Sequence, residues 1–265
     1  MPTSATRSYF VRLDAHRFEP TPLTAGAWTI TEQHISPMNG LIAHEVERYC
    51  AERGPDGMAV SRIGVDILGV LPLEEFTVEI DLIRPGRTIE LLEAVVSSAG
   101  RPAVRARIWR SILQDTTAVA GGEADPLPGP EGLEPADLGK IWPGGYIESV
   151  EARPIAPPEP GRAAAWATAT ADLVAGEESG DLARLIGLVD TANGLCVRED
   201  PEVWLFPNID LTIHLFRQPR GSWLGLDTTV VFGPSGHGTT ASLLHDTTGH
   251  FGHAQQTLTV RPRRR

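Results

Sequence analysis

The chain has 265 residues, of which 41% are hydrophobic and 22% are charged, and these proportions are typical of a soluble globular protein with ample material for a core. The net charge of −11 argues against a general nucleic-acid-binding protein, because a phosphate backbone must be met by an excess of Lys and Arg. No apolar run reaches the roughly 18 residues of a membrane span and the first residues lack a signal-peptide core, so we expect a cytoplasmic protein that binds neither nucleic acid nor membrane.

The first half of the chain predicts a strand, a helix and then a run of strands. The strand is AWTIT (27–31), and the helix is SPMNGLIAHEVERYC (36–50). Ser36 is the expected N-cap, Pro37 takes the first helical position, and apolar residues recur at helical spacing along the rest. Alternating apolar residues predict the strands that follow, over residues 61–67, 76–86 and 101–109.

The second half repeats this order of elements. AWATA (165–169) precedes a predicted helix over residues 181–196, and strands are predicted over 207–215, 223–233 and 252–260. From the helix onward, corresponding residues lie 146–149 positions apart. A unit that occurs twice, each time as one helix followed by antiparallel strands, indicates an α+β protein.

The segment between the two units, residues 114–162, is rich in Pro and Gly, which remove backbone donors and interrupt helix and sheet patterns. We interpret it as a long linker on the surface. The predicted domains are therefore an N-terminal unit over residues 1–113, the Pro/Gly-rich linker over 114–162, and a C-terminal unit over 163–265 that carries the functional site.

The architecture follows from where an apolar helix can be buried. A curved antiparallel sheet offers such a place, so each sheet is expected to wrap its own central helix, and the two sheets are expected to pair edge to edge. This arrangement is a double hotdog, with two hotdog units in one chain.

Three segments of the second unit relate the chain to a known family. LVDTANGL contains Asp190, FPNIDLTIHLFRQP contains Asn208 and Asp210, and HAQQTLTVR contains Gln256. With these segments the chain resembles the acyl-CoA thioesterase II family, in particular its actinobacterial thioesterase-like branch. The resemblance implies that acyl-CoA is the substrate and that water attacks its thioester directly, while a backbone N–H near the helix polarises the carbonyl.

The resemblance also implies the catalytic residues. In this family an aspartate, a threonine and a glutamine hold and activate the water, and the matching positions here are Asp190, Asn208 and Gln256. Asn208 departs from the pattern, since an amide can orient water but does not replace a hydroxyl atom for atom. Thr191 and Thr212 are alternative sources of a hydroxyl.

The residues themselves point the same way. Asp190 borders the apolar stripe of its helix, so the pKa of its carboxyl should be raised, which makes it a stronger base. Gln256 lies on the apolar face of the last strand and should point inward, where an amide needs partners. The structural alternatives are a carboxylate that merely flanks its helix and a core glutamine bonded to the backbone.

The first unit lacks the same groups. Ala43 stands at the position that matches Asp190, and Arg107 at the one that matches Gln256. We therefore expect one catalytic centre per chain, with both helices supplying its walls. The predicted substrate-binding residues are Ile186, Val189, Thr191, Met38 and His44.

Two further sets of residues have possible roles. The histidines of HDTTGHFGH (245–253) resemble a metal site, but a hairpin rarely brings this spacing together, so we expect no metal and no cofactor. Arginines of the strand over 101–109 and of the C-terminal tail could bind the phosphates of coenzyme A or form a solvated face.

Two alternatives to hydrolysis stay open. One is a non-catalytic acyl-CoA-binding protein whose thioesterase site has decayed, which the departure at Asn208 favours. The other is a hotdog enoyl-CoA hydratase, for which Asp210 and His214 have the spacing of an acid–base pair. Since hotdog proteins associate, we expect a homodimer.

Overall fold

A computed structural model gives the structure of the chain and describes residues 7–263. Their α-helices are α1 (Ile35–Arg53), α2 (Gly145–Glu148), α3 (Asp181–Val189) and α4 (Ala192–Leu195). Their strands are β1 (Ser8–Arg12), β2 (Arg17–Pro20), β3 (Met58–Ile67), β4 (Phe76–Arg84), β5 (Ile89–Ser98), β6 (Arg101–Ile112), β7 (Val150–Pro154), β8 (Arg162–Ala169), β9 (Asp172–Val174), β10 (Trp204–Leu205), β11 (Asp210–Leu215), β12 (Leu224–Phe232), β13 (His237–Asp246), β14 (Gly249–Thr259) and β15 (Arg261–Pro262). Within these residues, no helix has both the length and the apolar character needed to span a bilayer.

Thirteen strands form one sheet in the order β7-β8-β12-β13-β14-β11-β3-β6-β5-β4-β2-β1-β9, while β10 and β15 pair separately. The two halves of the chain meet where β11 pairs antiparallel with β3, with Ile213 opposite Ile63. Outward from this junction, the order β3-β6-β5-β4 in the first half matches β11-β14-β13-β12 in the second. The sheet therefore confirms the repeated order of strands that the sequence predicted.

Helices α1 and α3 pack against each other. Their backbones lie close together at Gly40 and Gly187, where a Cβ atom added to Gly40 would lie 2.9 Å from the carbonyl oxygen of Ala183 and 3.0 Å from the Cα of Gly187. Every residue of α1 from 36 to 46 is buried, as are most residues of α3. Because Ser36 lies beside Gly187, the beginning of α1 adjoins the end of α3.

The helix boundaries differ from those predicted. His34 is the N-cap of α1, because its Nδ1 accepts a hydrogen bond from the N–H of Ser36 at 3.1 Å, so the prediction of Ser36 as N-cap is wrong. The second predicted helix ends at Val189 and resumes as α4.

One predicted strand is also wrong. Residues 27–31 form bends and turns outside the sheet, because the ring of Trp28 packs against Trp142 and Phe206 instead of against a neighbouring strand. By its place in the sheet, the first-half counterpart of β8 is β2.

Part of the predicted linker belongs to the core. Helix α2 and strand β7 lie within it, and β7 joins the main sheet beside β8. Trp142 and Tyr146 are buried, at 3% and 0% exposure. These aromatic side chains fold the segment inward despite the surrounding Gly and Pro, while the domain boundaries themselves stay a prediction.

The helix crossing predicts different tolerance at its two glycines. Gly40→Ala should lower the free energy of unfolding by about 1–3 kcal/mol, because the new Cβ meets backbone atoms that cannot move away cheaply and the clash outweighs the helix propensity gained, at most about 1 kcal/mol. Gly187→Ala is the matched control, since its Cβ would come no closer than 3.4 Å to the partner helix. Urea unfolding of both variants measures the difference, and equal stabilities would contradict the close crossing.

Candidate active site

A buried carboxylate with two amide donors lies at the end of α3. Asp190 is 6% exposed, and its Oδ1 accepts hydrogen bonds from Asn208 Nδ2 at 2.7 Å and from Gln256 Nε2 at 2.6 Å. The three residues predicted to be catalytic thus meet at the carboxylate of Asp190.

Each of the three side chains is placed by its own element. Asp190 directly follows α3 and serves as its C-cap residue. Gln256 lies on the inner face of β14, where it alternates with outward-facing Gln255 and Thr257. Asn208 precedes β11 and forms an antiparallel bridge with Leu258, which brings its amide next to β14.

Burial determines the charge state of the carboxyl. Desolvation raises the pKa of Asp190 to about 6, and the hydrogen bonds from Asn208 and Gln256 offset part of this rise because they stabilise the charged form. The raised pKa of Asp190 that the sequence predicted is therefore present in the structure. A carboxyl with a pKa near 6 is ionised at neutral pH but is a better base than an exposed aspartate.

His34 faces the same carboxylate and was missed by sequence reasoning. Its Nδ1 lies 3.8 Å from Asp190 Oδ2 and accepts the N–H of Ser36, so the neutral ring carries its proton on Nε2. Burial lowers the pKa of His34 to about 3, and the ring stacks on Tyr146 with centroids 4.3 Å apart. Its position directly before the helix was the only signal in the sequence, and Ser36-Pro37 offered a more familiar helix start.

Tyr146, from the predicted linker, ties the first helix to the second. Its Oη lies 2.6 Å from Thr191 Oγ1, and Thr191 Oγ1 lies 3.5 Å from Ser36 Oγ. Burial raises the pKa of Tyr146 far above its usual value, so the phenol stays neutral. The hydroxyl of Thr191 is therefore engaged beside Asp190 rather than exposed to solvent.

A small cavity adjoins these groups. Asp190, Thr191, Asn208 and His34 line it, and its apolar wall consists of Ala27, Trp28, Leu138, Trp142, Ile147 and Leu195. Its volume is about 30 Å³, which exceeds the roughly 10–15 Å³ that one water molecule needs. The cavity therefore has both room and polar partners for a water next to Asp190.

Aromatic rings close the apolar side of this cavity. The rings of Trp28 and Trp142 meet edge to face with centroids 4.9 Å apart, and Trp28 contacts Phe206 in the same way at 5.0 Å. Trp142 Nε1 donates to the carbonyl oxygen of Gly194 at 2.9 Å, which fixes the indole against α4.

Other predicted binding residues lie elsewhere. Met38, Ile186 and Val189 are buried in the core and do not line the cavity. His44 also lies away from it, because its Nε2 is 2.9 Å from Glu177 Oε2.

The polar residues of β11 do not reach the cavity either. Thr212 pairs with Gln255 on the outer face of the sheet, so it is not a source of a hydroxyl beside Asp190. Asp210 accepts a hydrogen bond from the N–H of Thr257, and His214 is exposed, which separates this pair from the site.

The rings of the histidines in residues 245–253 pack against one another, one pair stacked and one pair edge to face. The ring centroids of His245 and His250 lie 5.1 Å apart, and those of His250 and His253 lie 4.7 Å apart. Nδ1 of His250 accepts the N–H of Ala124, and burial lowers the pKa of His245 to about 4. In the part of the chain that the structure describes, no group of three or more His, Cys, Asp or Glu side chains could hold a metal ion.

Family models match most of the chain. The model of the acyl-CoA thioesterase N-terminal domain matches residues 24–111, and that of the acyl-CoA thioesterase C-terminal domain matches residues 122–260. Among curated proteins, none matches the sequence closely enough to count as a relative.

Solved structures resemble the whole chain at low identity. A protein with a hot dog fold from Alicyclobacillus acidocaldarius is 11% identical with a TM-score of 0.74, covering 98% of this chain and 99% of its own. The acyl-CoA thioesterase II TesB2 of Mycobacterium marinum is 13% identical with a TM-score of 0.65, covering 96% and 95%. The tesB protein of Mycobacterium avium subs paratuberculosis is 16% identical with a TM-score of 0.64, covering 96% of each chain. These similarities show a hotdog fold.

The buried carboxyl predicts that Asp190→Asn stabilises the fold at neutral pH. Because the pKa of Asp190 is raised from 3.8 to about 6 on folding, the stability contributed by the protonated form is fully present below pH 4 and is lost as the pH rises to about 6. An amide avoids this loss, so above pH 6 the variant should be more stable than the wild type by about 2–3 kcal/mol. Urea unfolding at pH 4, 5, 6 and 8 measures the difference.

Asp172→Asn is the control, since Asp172 is exposed. Its effect on the free energy of unfolding should be small. A difference between Asp190→Asn and the wild type that stays constant from pH 4 to 8 would contradict a raised pKa.

Proposed function

The chain belongs to the acyl-CoA thioesterase family, and on this premise we propose that it hydrolyses acyl-CoA thioesters to a free acid and coenzyme A by direct attack of water. The observation that carries the proposal is the buried carboxylate of Asp190, held by the amides of Asn208 and Gln256 beside a cavity of water size.

Asp190 supplies the general base. Since Oδ1 accepts both amide hydrogen bonds, Oδ2 is the oxygen left to take a proton from water as the water oxygen attacks the thioester carbonyl carbon. The tetrahedral intermediate then breaks its C–S bond, and the protonated carboxyl returns the proton to the departing thiolate. The two amide hydrogen bonds and the pKa of Asp190 near 6 suit a carboxyl group that first accepts a proton and then donates it.

The beginning of α1 supplies the positive end of a helix where the carbonyl oxygen becomes negative. This helix has 19 residues, and the dipole of a helix favours negative charge at its N-terminus. The N–H of Ser36 is engaged by His34 and Pro37 has no N–H, which leaves the N–H of Ile35 as the donor in the first turn. Ile35 lines a larger groove that adjoins the cavity at Trp28 and Asn208.

We also propose that the two halves are two hotdog units and that only one active site forms. The first unit contributes His34 and the second contributes Asp190 and Gln256. At the position in α1 that matches Asp190, Ala43 is buried and carries no group that could activate a water. Arg107, which the sequence repeat aligned with Gln256, is exposed between buried Ala106 and Ile108, so it lies on the outer face of the sheet, opposite to the inward-facing Gln256.

Replacing the base tests the proposed mechanism. Asp190→Asn should lower kcat by about 10²–10⁴-fold, the usual value of a positioned base, while Asp172→Asn leaves it unchanged. In the wild type, kcat/KM should rise with pH through about 6, because only the ionised carboxyl accepts a proton. Thiol release from a panel of acyl-CoAs, followed with a thiol reagent, measures both effects.

Two results would remove this assignment. Full activity of Asp190→Asn would show that another group is the base. Saturable binding of acyl-CoA without thiol release by the wild type would instead favour a non-catalytic acyl-CoA-binding protein.

Asn208 can be tested by two substitutions. Asn208→Thr restores the hydroxyl that the family pattern has at this position and should keep activity within about tenfold. Asn208→Leu removes a donor that lowers the pKa of Asp190, so activity should fall and the pH profile should shift to higher pH. Profiles of kcat/KM for both variants measure this, and identical profiles would mean that Asn208 does not act on Asp190.

A second candidate function is hydration of 2-enoyl thioesters. The approach of His34 to Asp190 favours it, since burial pushes their pKa values in opposite directions, as in acid–base pairs that move protons. Water would add its hydroxyl to C3 and a proton to C2. Loss of the enoyl absorbance on mixing with 2-enoyl-CoA, abolished by His34→Gln, would support it; thiol release without this loss would exclude it.

A further inference from the structure

A second and larger opening adjoins the cavity at Asp190. This groove shares Trp28 and Asn208 with the cavity and has a volume of about 820 Å³. The loop after β3, the segment before β11 and strand β15 form its walls. The volume lies within the roughly 300–1,000 Å³ of small-molecule sites.

The groove has an apolar wall that is exposed to solvent. Leu68, Val70 and Ile209 line it and are 55%, 60% and 48% exposed. Grouped exposed apolar side chains along a groove are typical of a binding site, because isolated ones are the rule elsewhere on a surface.

Two arginines lie at the same groove. Arg261 and Arg263 are exposed, and among the described residues neither forms an ion pair with a carboxylate; Arg261 Nη1 donates to Thr259 Oγ1 at 2.9 Å. The backbone holds both in place, because β15 pairs with β10 and the N–H of Arg263 donates to the carbonyl oxygen of Val203.

The charge of the groove is opposite to that of the chain. Its lining includes two arginines against one carboxylate, Glu32, whereas the chain as a whole carries −11. Guanidinium groups present planar pairs of donors that match phosphate oxygens. The groove therefore suits a ligand that has a long arm to contact the apolar wall and phosphates at one end to contact the arginines.

We propose that this groove binds the coenzyme A part of the substrate, with the pantetheine arm along Leu68, Val70 and Ile209 and the nucleotide phosphates on Arg261 and Arg263. This inference rests on the proposed function, and it fixes which end of the substrate lies in the groove. The thioester lies where the groove and the cavity meet, at Trp28 and Asn208, so that its carbonyl carbon faces the water-sized cavity beside Asp190.

The kinetic test separates the phosphates from the rest of the substrate. The double variant Arg261→Gln/Arg263→Gln should raise KM for an acyl-CoA by about tenfold or more, with kcat unchanged, because its interactions are with a part that does not react. For the same acyl group on pantetheine, which lacks the nucleotide phosphates, KM should stay the same. Arg87→Gln/Arg220→Gln is the matched control, since both residues are exposed away from the groove lining.

A binding test does not depend on catalysis. Calorimetry with adenosine 3′,5′-bisphosphate should show binding to the wild type and to Asp190→Asn, and a loss of about tenfold or more in affinity for the double variant. If the protein hydrolyses no thioester but this pattern is present, the groove assignment stands and the proposed function fails. If hydrolysis is present but the bisphosphate binds all variants equally or not at all, the groove assignment is overturned.

Other occupants of the groove give distinct results. A raised KM for an acyl group on a carrier protein, with KM for acyl-CoA unchanged, would overturn the proposal in favour of a protein-bound arm. Dissociation of an oligomer in the double variant, seen by light scattering, with unchanged kinetics would mean that a second copy of the chain covers the groove.

Discussion

The burial of a single carboxylate between two amides is the interaction on which the site depends. Asp190 is almost inaccessible to water, and burial alone would favour its neutral form. The hydrogen bonds from Asn208 and Gln256 stabilise the charged form, so the pKa of Asp190 rises no further than about 6. Both bonds go to Oδ1, which leaves Oδ2 without an amide partner. The same contacts join the end of α3 to the sheet, so the group that destabilises the fold also orders the residues around it.

The crossing of the two helices sets what this carboxylate faces. Because glycines at the contact let the backbones approach closely, the first turn of α1 lies beside the last turn of α3. The beginning of α1 favours negative charge, and the end of α3 carries the carboxylate of Asp190. His34 joins them, since its ring caps α1 and lies next to Asp190. The site is thus assembled from both halves of the chain.

Much of this arrangement could be predicted from local patterns in the sequence. Alternation of apolar residues along β14 placed Gln256 inside, and the apolar stripe of α3 placed Asp190 at its border. The position of His34 beside Asp190, the turns at Trp28, and the contact of Tyr146 with Thr191 could not be predicted in this way. They depend on contacts between residues distant in sequence, and in each case a stronger local signal (a Ser-Pro helix start, an alternating run, a Gly-rich stretch) favoured another structure.

The segment between the two halves makes the site depend on an unbroken chain. Trp142 and Tyr146 lie in the segment predicted to be a linker, yet one closes the cavity and the other reaches the hydroxyl of Thr191. A C-terminal fragment that begins after residue 146 would lack both rings, and the cavity at Asp190 would then be open to solvent on that side.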